Sequence, residues 1–240
     1  MNTFSDRTLL SPSHRELYGG IGCWIAYQLL YPLLASLLLP YLVKNTGTVY
    51  AGFLYNALVL TATAVTVVFF FRRFLIASTF PLRENVRRLL LSVLLGLSLY
   101  LASAYLLNVL AALLRLSADN SNQKAAETYL TAYPLPYGLC VILLAPVAEE
   151  ILVRGVIFAP LCKKSPPLAY AVSILVFGGL HLIAGIDARQ NAAQLALSFV
   201  QYLPAGIFFG WVYQRTRSIY GAICLHMLVN TVSVLQILFF

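Results

Sequence analysis

Charge is what this sequence has least of. Of its 240 residues only 10% are Asp, Glu, Lys or Arg and 60% are hydrophobic, with a mean hydropathy of +0.83. An ordinary soluble domain is about 25% charged, so this composition excludes a soluble globular chain and points to an integral membrane protein. Cysteine is scarce as well. The four thiols (Cys23, Cys140, Cys162 and Cys224) are scattered with no CxxC pair, and three lie inside apolar runs. That spacing excludes a disulfide framework or a thiolate zinc knuckle and leaves them as packing residues. There is no internal repeat and no low-complexity tract. A cleavable signal sequence is not expected either: residues 1–18 are polar, and the apolar run that follows is longer than a signal core, with no small-residue cleavage site after it.

What is present is a series of apolar runs, each near the roughly 20 residues that a spanning helix needs. The expected spans are 19–43, 49–71, 89–114, 136–161, 168–184, 195–213 and 219–240. The fold class is therefore all-α, a polytopic membrane protein of about seven helices: residues 1–18 form a cytoplasmic tail and residues 19–240 one integral domain. Aromatic residues gather near the ends of the runs, among them Tyr18, Trp24, Tyr50, Tyr133, Tyr137, Trp211, Tyr213 and Tyr220, as interfacial side chains do.

The formal net charge of +8 suits nucleic-acid binding in a soluble chain, but here the basic residues sit between the apolar runs. They report topology, and no nucleic-acid partner is expected. Eleven of them (Arg7, Arg15, Arg72, Arg73, Arg83, Arg87, Arg88, Lys163, Lys164, Arg215 and Arg217) fall on one side, against Lys44, Arg115, Lys124 and Arg189 on the other. The positive-inside rule puts the N-terminus in the cytoplasm and, for an odd number of spans, the C-terminus outside a cell membrane. The polar stretch 117–134 falls on the outer side and reads as a solvated connection with an interfacial turn.

Six of the eight acidic residues (Asp6, Glu16, Glu84, Asp119, Glu127 and Asp187) sit in tails or loops, which leaves Glu149 and Glu150 as the acids within a span. His14 is in the tail, while His181 and His226 lie within the fifth and seventh runs. A charge at mid-bilayer costs at least about 2.5–3.5 kcal/mol on insertion scales, so such groups face a protein interior or a wet cavity and are candidate functional residues.

Helix geometry divides the work. Glu150 and Arg154 are four apart with the acid first, the favourable order for an ion pair on one face. Glu149 is turned about 100° from Glu150 and has no cation at that spacing, so it is the acid left for chemistry. Phe177 and His181 share a face with Gly178 and Gly179 between them, and His226 shares one with Asn230. Counted at about 1.5 Å per residue from the cytoplasmic ends, Glu149, His181, His226 and Asn230 lie at depths of about 18, 20, 10 and 16 Å, close enough for one layer. A buried carboxylate can serve as a general base for water, an imidazole can position that water, and an imidazole with an amide can stabilise an oxyanion. The same residue types can equally hold zinc through Glu149, His181 and His226, with an open position for water.

At these residues the chain resembles the CPBP intramembrane proteases, also called the CAAX-protease and bacteriocin-processing or Abi family. The family motifs EExxxR, FxxxH and HxxxN are matched, in order, by "EEILVR" (149–154), "FGGLH" (177–181) and "HMLVN" (226–230). The resemblance covers about residues 135–235. It implies a four-helix catalytic core opening toward the cytoplasm, commonly within eight helices. It further implies an endopeptidase in which Glu149 and His181 activate water, His226 and Asn230 stabilise the oxyanion, and Glu150, Arg154 and Phe177 support the site. Family members were long labelled zinc-dependent and later understood as metal-free glutamate enzymes, so no cofactor is favoured and zinc is the alternative.

The expected partners are the bilayer and a peptide or lipidated-protein substrate, prenylated CaaX-type or bacteriocin-like. Two other readings stay open: a non-enzymatic immunity or scaffold protein, and a small proton-coupled transporter using Glu149 and the histidines as a relay. The sequence leaves the oligomeric state open; "GIFFG" (206–210) has the small-xxx-small spacing that permits close helix contact, within this chain or between chains.

Overall fold

In a bilayer each backbone polar group has to be satisfied within the protein, and a helix does this inside a single segment. The apolar runs accordingly fold as helices. The computed structural model describes residues 9–116, 120–183, 186 and 189–239. Asp6, Arg7, Asp119 and Asp187, assigned above to the tail and loops, lie outside those residues. Among the described residues every regular element is helical.

In chain order the helices are α1 (His14–Thr46), α2 (Thr48–Phe70), the short α3 (Arg72–Ala77) and α4 (Phe80–Glu84), α5 (Val86–Leu113), α6 (Ser121–Ala132), α7 (134–162), α8 (Pro166–His181), α9 (Ala192–Thr216) and α10 (Ile219–Phe239). Five of them, α1, α2, α5, α9 and α10, are long and apolar enough to cross a membrane. The fourth and fifth expected runs differ. Along α7, α and π turns alternate. With 16 residues α8 is about 24 Å long at about 1.5 Å per residue, short of the roughly 30 Å hydrocarbon core.

Two stretches depart from expectation. The tail gives up its last turn, because Ser13 caps α1 in a reciprocal box with Glu16 and the helix starts at His14. Glu16, counted above with the tail acids, is buried, and its Oε1 accepts from the Phe74 amide at 2.8 Å, fastening α1 to α3. The second is 117–134. Instead of a solvated connection with a single turn, it holds the 12-residue α6, capped by Asn120. Leu130 there is buried with Phe53, Tyr137 and Val234, so a mostly polar segment carries one apolar stripe facing α2, α7 and α10.

Three π segments share a sequence cause. They cover Ala26–Leu30, Cys140–Leu144 and Ile151–Phe158, and each is followed at its second residue by a proline: Pro32, Pro146 and Pro160. A proline ring clashes with the carbonyl four residues back and offers no N–H, and widening the preceding turn relieves the clash. "GIFFG" makes its close contact within the chain. A Cβ on Gly206 would lie 2.8 Å from Ile174 Cγ1 and 3.3 Å from Ile174 Cα, and one on Gly210 3.1 Å from the Phe158 and Tyr170 rings. Gly178 packs under Phe199 in the same way, whereas Gly179 faces open space.

Candidate active site

Four helices deliver the polar groups to one place. From α7 come Glu149, Glu150 and Arg154; from α8, Phe177 and His181; from α10, His226 and Asn230; and from α9, two aromatic rings and two backbone carbonyls.

Arg154 and Glu150 are both 0% exposed, and the guanidinium Nη1 donates to Glu150 Oε1 at 3.2 Å, the one-turn pair expected from their spacing. The pair has more members than the spacing alone suggests. Arg154 Nη2 donates to the carbonyls of Ala205 and Gly206 at 3.3 and 3.4 Å. The guanidinium carbon lies 4.7 Å from the Phe177 ring centre and 5.4 Å from that of Phe209. These contacts explain a phenylalanine four residues before His181: its ring covers a buried cation that water does not solvate. Glu150 Oε1 also lies 3.0 Å from His226 Nδ1.

Glu149 occupies the next position round the helix and a different environment. Its Oε2 is 3.9 Å from His181 Nε2 and 3.9 Å from His226 Nε2, with the carboxylate 13% exposed. That oxygen is buried and has no protein hydrogen-bond donor among the described residues. The other ring nitrogens fix the tautomers. His181 Nδ1 faces the Phe177 carbonyl at 2.8 Å, and a carbonyl only accepts, so Nδ1 carries the hydrogen. His226 Nδ1 faces the arginine-paired carboxylate of Glu150 and does the same. Both Nε2 atoms therefore turn toward the single oxygen Glu149 Oε2.

The expected residues thus separate into a cluster and an outlier. Glu149, His181 and His226 share one gap. Asn230, expected to point into the same cavity as His226, donates from Nδ2 to the Val141 carbonyl on α7 at 2.8 Å. Two rings missed at the sequence level complete the walls. Tyr202 lies over His181 with ring centres 4.4 Å apart, its hydroxyl receiving hydrogen bonds from Asn120 and Asn122 at 3.2 and 3.3 Å. Phe209 stacks on His226 at 4.5 Å and 27°. Their separation of seven residues on one helix was the available signal, but lipid-facing aromatics show it too.

The donor types suit zinc, with each imidazole oriented by a partner at Nδ1; the ligand atoms stand wider apart than on a bound ion. Zinc–nitrogen and zinc–oxygen bonds of about 2.0–2.2 Å in a tetrahedral site bring ligand atoms to about 3.4 Å from one another, against 3.9 Å here. Among the described residues no set of three or more His, Cys, Asp or Glu side chains is arranged to hold a metal ion.

Residues 131–232 match the family model described as type II CAAX prenyl endopeptidase Rce1-like. The match includes all three motifs, helices α7 to α9 and α10 as far as residue 232. No curated protein and no solved structure matches the chain.

Proposed function

We propose that this membrane chain, whose residues 131–232 match the type II CAAX prenyl endopeptidase Rce1-like model, is a glutamate-type intramembrane endopeptidase of the CAAX-protease (CPBP) family. Its substrates are membrane-associated, lipidated peptides of the CaaX kind. The observation that carries this reading is the convergence of two imidazole Nε2 atoms, at 3.9 Å each, on the unpartnered oxygen of Glu149. A water molecule in that gap has one oxygen to offer an electrophile and two hydrogens to give to acceptors.

The charge count supports the same assignment. Glu149 and Glu150 against Arg154 leave one negative charge in a buried cluster; one proton held among Glu149 and the two Nε2 atoms brings the set to neutrality. Burying a net charge is expensive, so that proton belongs to the resting site. With it on His226 Nε2, Glu149 is the free carboxylate base. Glu149 takes a proton from water held against His181, and the hydroxide adds to the scissile carbonyl carbon. The oxyanion accepts from His226 Nε2–H and from Asn230. Collapse breaks the C–N bond as Glu149 returns its proton to the leaving amine. Glu150, Arg154, Phe177 and Phe209 hold His226 and α9 in place throughout. In this reading the basic face with Arg72, Arg73, Arg87 and Arg88 is cytoplasmic and the site opens toward it.

The test is cleavage of farnesylated and unmodified CaaX peptides by purified protein in detergent, beside Glu149→Ala and His181→Ala. Wild type cleaves, and each variant loses at least about 100-fold, the scale of a general base; activity surviving both substitutions overturns the assignment. Activity unaffected by a chelator is expected. Stoichiometric zinc lost together with activity overturns the metal-free version. Wild type that cleaves no peptide, yet protects cells from a bacteriocin as well as Glu149→Ala does, makes the chain an immunity protein.

A further inference from the structure

The hydrogen bond between Asn230 and Val141 has a cause in the sequence of the partner helix. The π turn over Cys140–Leu144 is closed by a bond that reaches five residues back, from Ala145 N–H to Cys140 O. The next donor in that register is residue 146, a proline, which has none. With the Ala145 N–H already used, Val141 O has no backbone donor left. Inside a membrane an unpaired carbonyl is costly, and the Asn230 amide meets this one at 2.8 Å from α10. Because a carbonyl only accepts, the nitrogen side of the amide is the side that faces it.

That bond is one of two between the same helices. The other joins His226 Nδ1 to Glu150 Oε1 at 3.0 Å. Asn230 and His226 are one turn apart on α10, while Val141 and Glu150 are nine residues apart on α7. The bonds therefore fasten α7 to α10 at two heights, and between them lies Pro146, three residues before Glu149. One bond alone leaves α7 free to rotate about it. Two fix both its rotation and its distance, and with them the gap between Glu149 Oε2 and His226 Nε2.

We propose that Asn230 is a positioning residue: its amide replaces the N–H that Pro146 lacks, and so sets Glu149 against His226. The amide carries two hydrogens, and the second remains for the oxyanion. The kinetic consequence rests on the peptidase reading above; the tether itself does not.

A cycle over Asn230→Ala and Pro146→Ala tests this, because alanine in place of Pro146 restores the missing N–H. Expected is a loss of kcat of at least about 100-fold for Asn230→Ala alone, the scale of a misplaced catalytic group, with KM little changed. Pro146→Ala alone keeps most of its activity, and in its background Asn230→Ala loses markedly less. The thermal midpoint in detergent follows the same pattern: Asn230→Ala lowers it when Pro146 is present and hardly at all in the Pro146→Ala background. Equal losses in both backgrounds, in kcat and in midpoint, overturn the proposal, as does an inactive Pro146→Ala single variant. A midpoint that is rescued without kcat assigns the whole kinetic loss to the oxyanion hydrogen bond and overturns the positioning role. If wild type cleaves no peptide at all, the peptidase reading falls while the midpoint cycle still decides the tether.

Discussion

His226 Nδ1 sits 3.0 Å from Glu150 Oε1, the same oxygen that receives Arg154 Nη1 at 3.2 Å. One carboxylate oxygen thus neutralises a cation on its own helix and orients an imidazole on another. The two adjacent glutamates thereby differ in environment: Glu150 is held by two partners through Oε1, and Glu149 Oε2 has no donor among the described residues.

Opposite responses to the same chemical change follow from that difference. Glu149→Gln removes a buried carboxylate that no cation pairs at hydrogen-bond distance, so the thermal midpoint in detergent holds or rises while cleavage falls by at least about 100-fold. Glu150→Gln leaves Arg154 buried without its counter-charge, a loss of about 3–5 kcal/mol, and the midpoint falls steeply. Thermal unfolding of both variants checks this; equal destabilisation contradicts it.

Arg154 is held by shape as much as by charge. Its planar guanidinium lies against the Phe177 and Phe209 rings and reaches two carbonyls of α9, which a lysine ammonium cannot reproduce. Arg154→Lys therefore destabilises the protein nearly as much as Arg154→Ala. The paired replacement Glu150→Leu with Arg154→Met is milder than either single truncation, because it leaves no charge unpaired. Midpoints of Arg154→Lys, Arg154→Ala, the two single replacements and the pair measure the difference.

How much of this was legible beforehand depends on distance along the chain. The apolar runs gave the helix order, since a bilayer leaves a spanning segment little choice. The Glu150–Arg154 pair followed from four-residue spacing. The link from His226 to Glu150 spans 76 residues, and no periodicity within one helix reports how two helices face each other. Helix α6 escaped because its sequence is mostly polar and its buried face rests on Leu130 and its aromatic neighbours. Nothing local marks Glu16 as more than a tail acid, because its partner, the Phe74 amide, is 58 residues away. The π turns, by contrast, had a local signal in the three prolines that follow them.

Gly206 and Gly22 make a contrasting pair. A Cβ at Gly206 meets Ile174 at 2.8 Å and its backbone at 3.3 Å, whereas a Cβ at Gly22 meets nothing within 4 Å. Gly206→Ala is expected to cost about 1–3 kcal/mol by forcing α8 and α9 apart. Gly22→Ala leaves stability unchanged or raises it by up to about 1 kcal/mol through helix propensity. If both shift the midpoint alike, the close α8–α9 approach is not what Gly206 provides.

Tyr202 joins the site to α6. Its ring covers His181, and its hydroxyl is held by Asn120 at the α6 cap and by Asn122 in its first turn. The two parts can be removed separately. Tyr202→Phe keeps the ring over the imidazole and drops the hydroxyl, so kcat stays near wild type while the start of α6 loosens and is cut faster by an added protease. Tyr202→Ala removes the wall as well. An aromatic contact of this kind is worth about 0.5–1.5 kcal/mol, so kcat falls by up to roughly tenfold as His181 gains rotational freedom. Parallel measurement of peptide cleavage and of nicking near residues 120–122 separates the two roles. If Tyr202→Phe loses as much kcat as Tyr202→Ala, the hydroxyl and its link to α6, not the ring, positions His181.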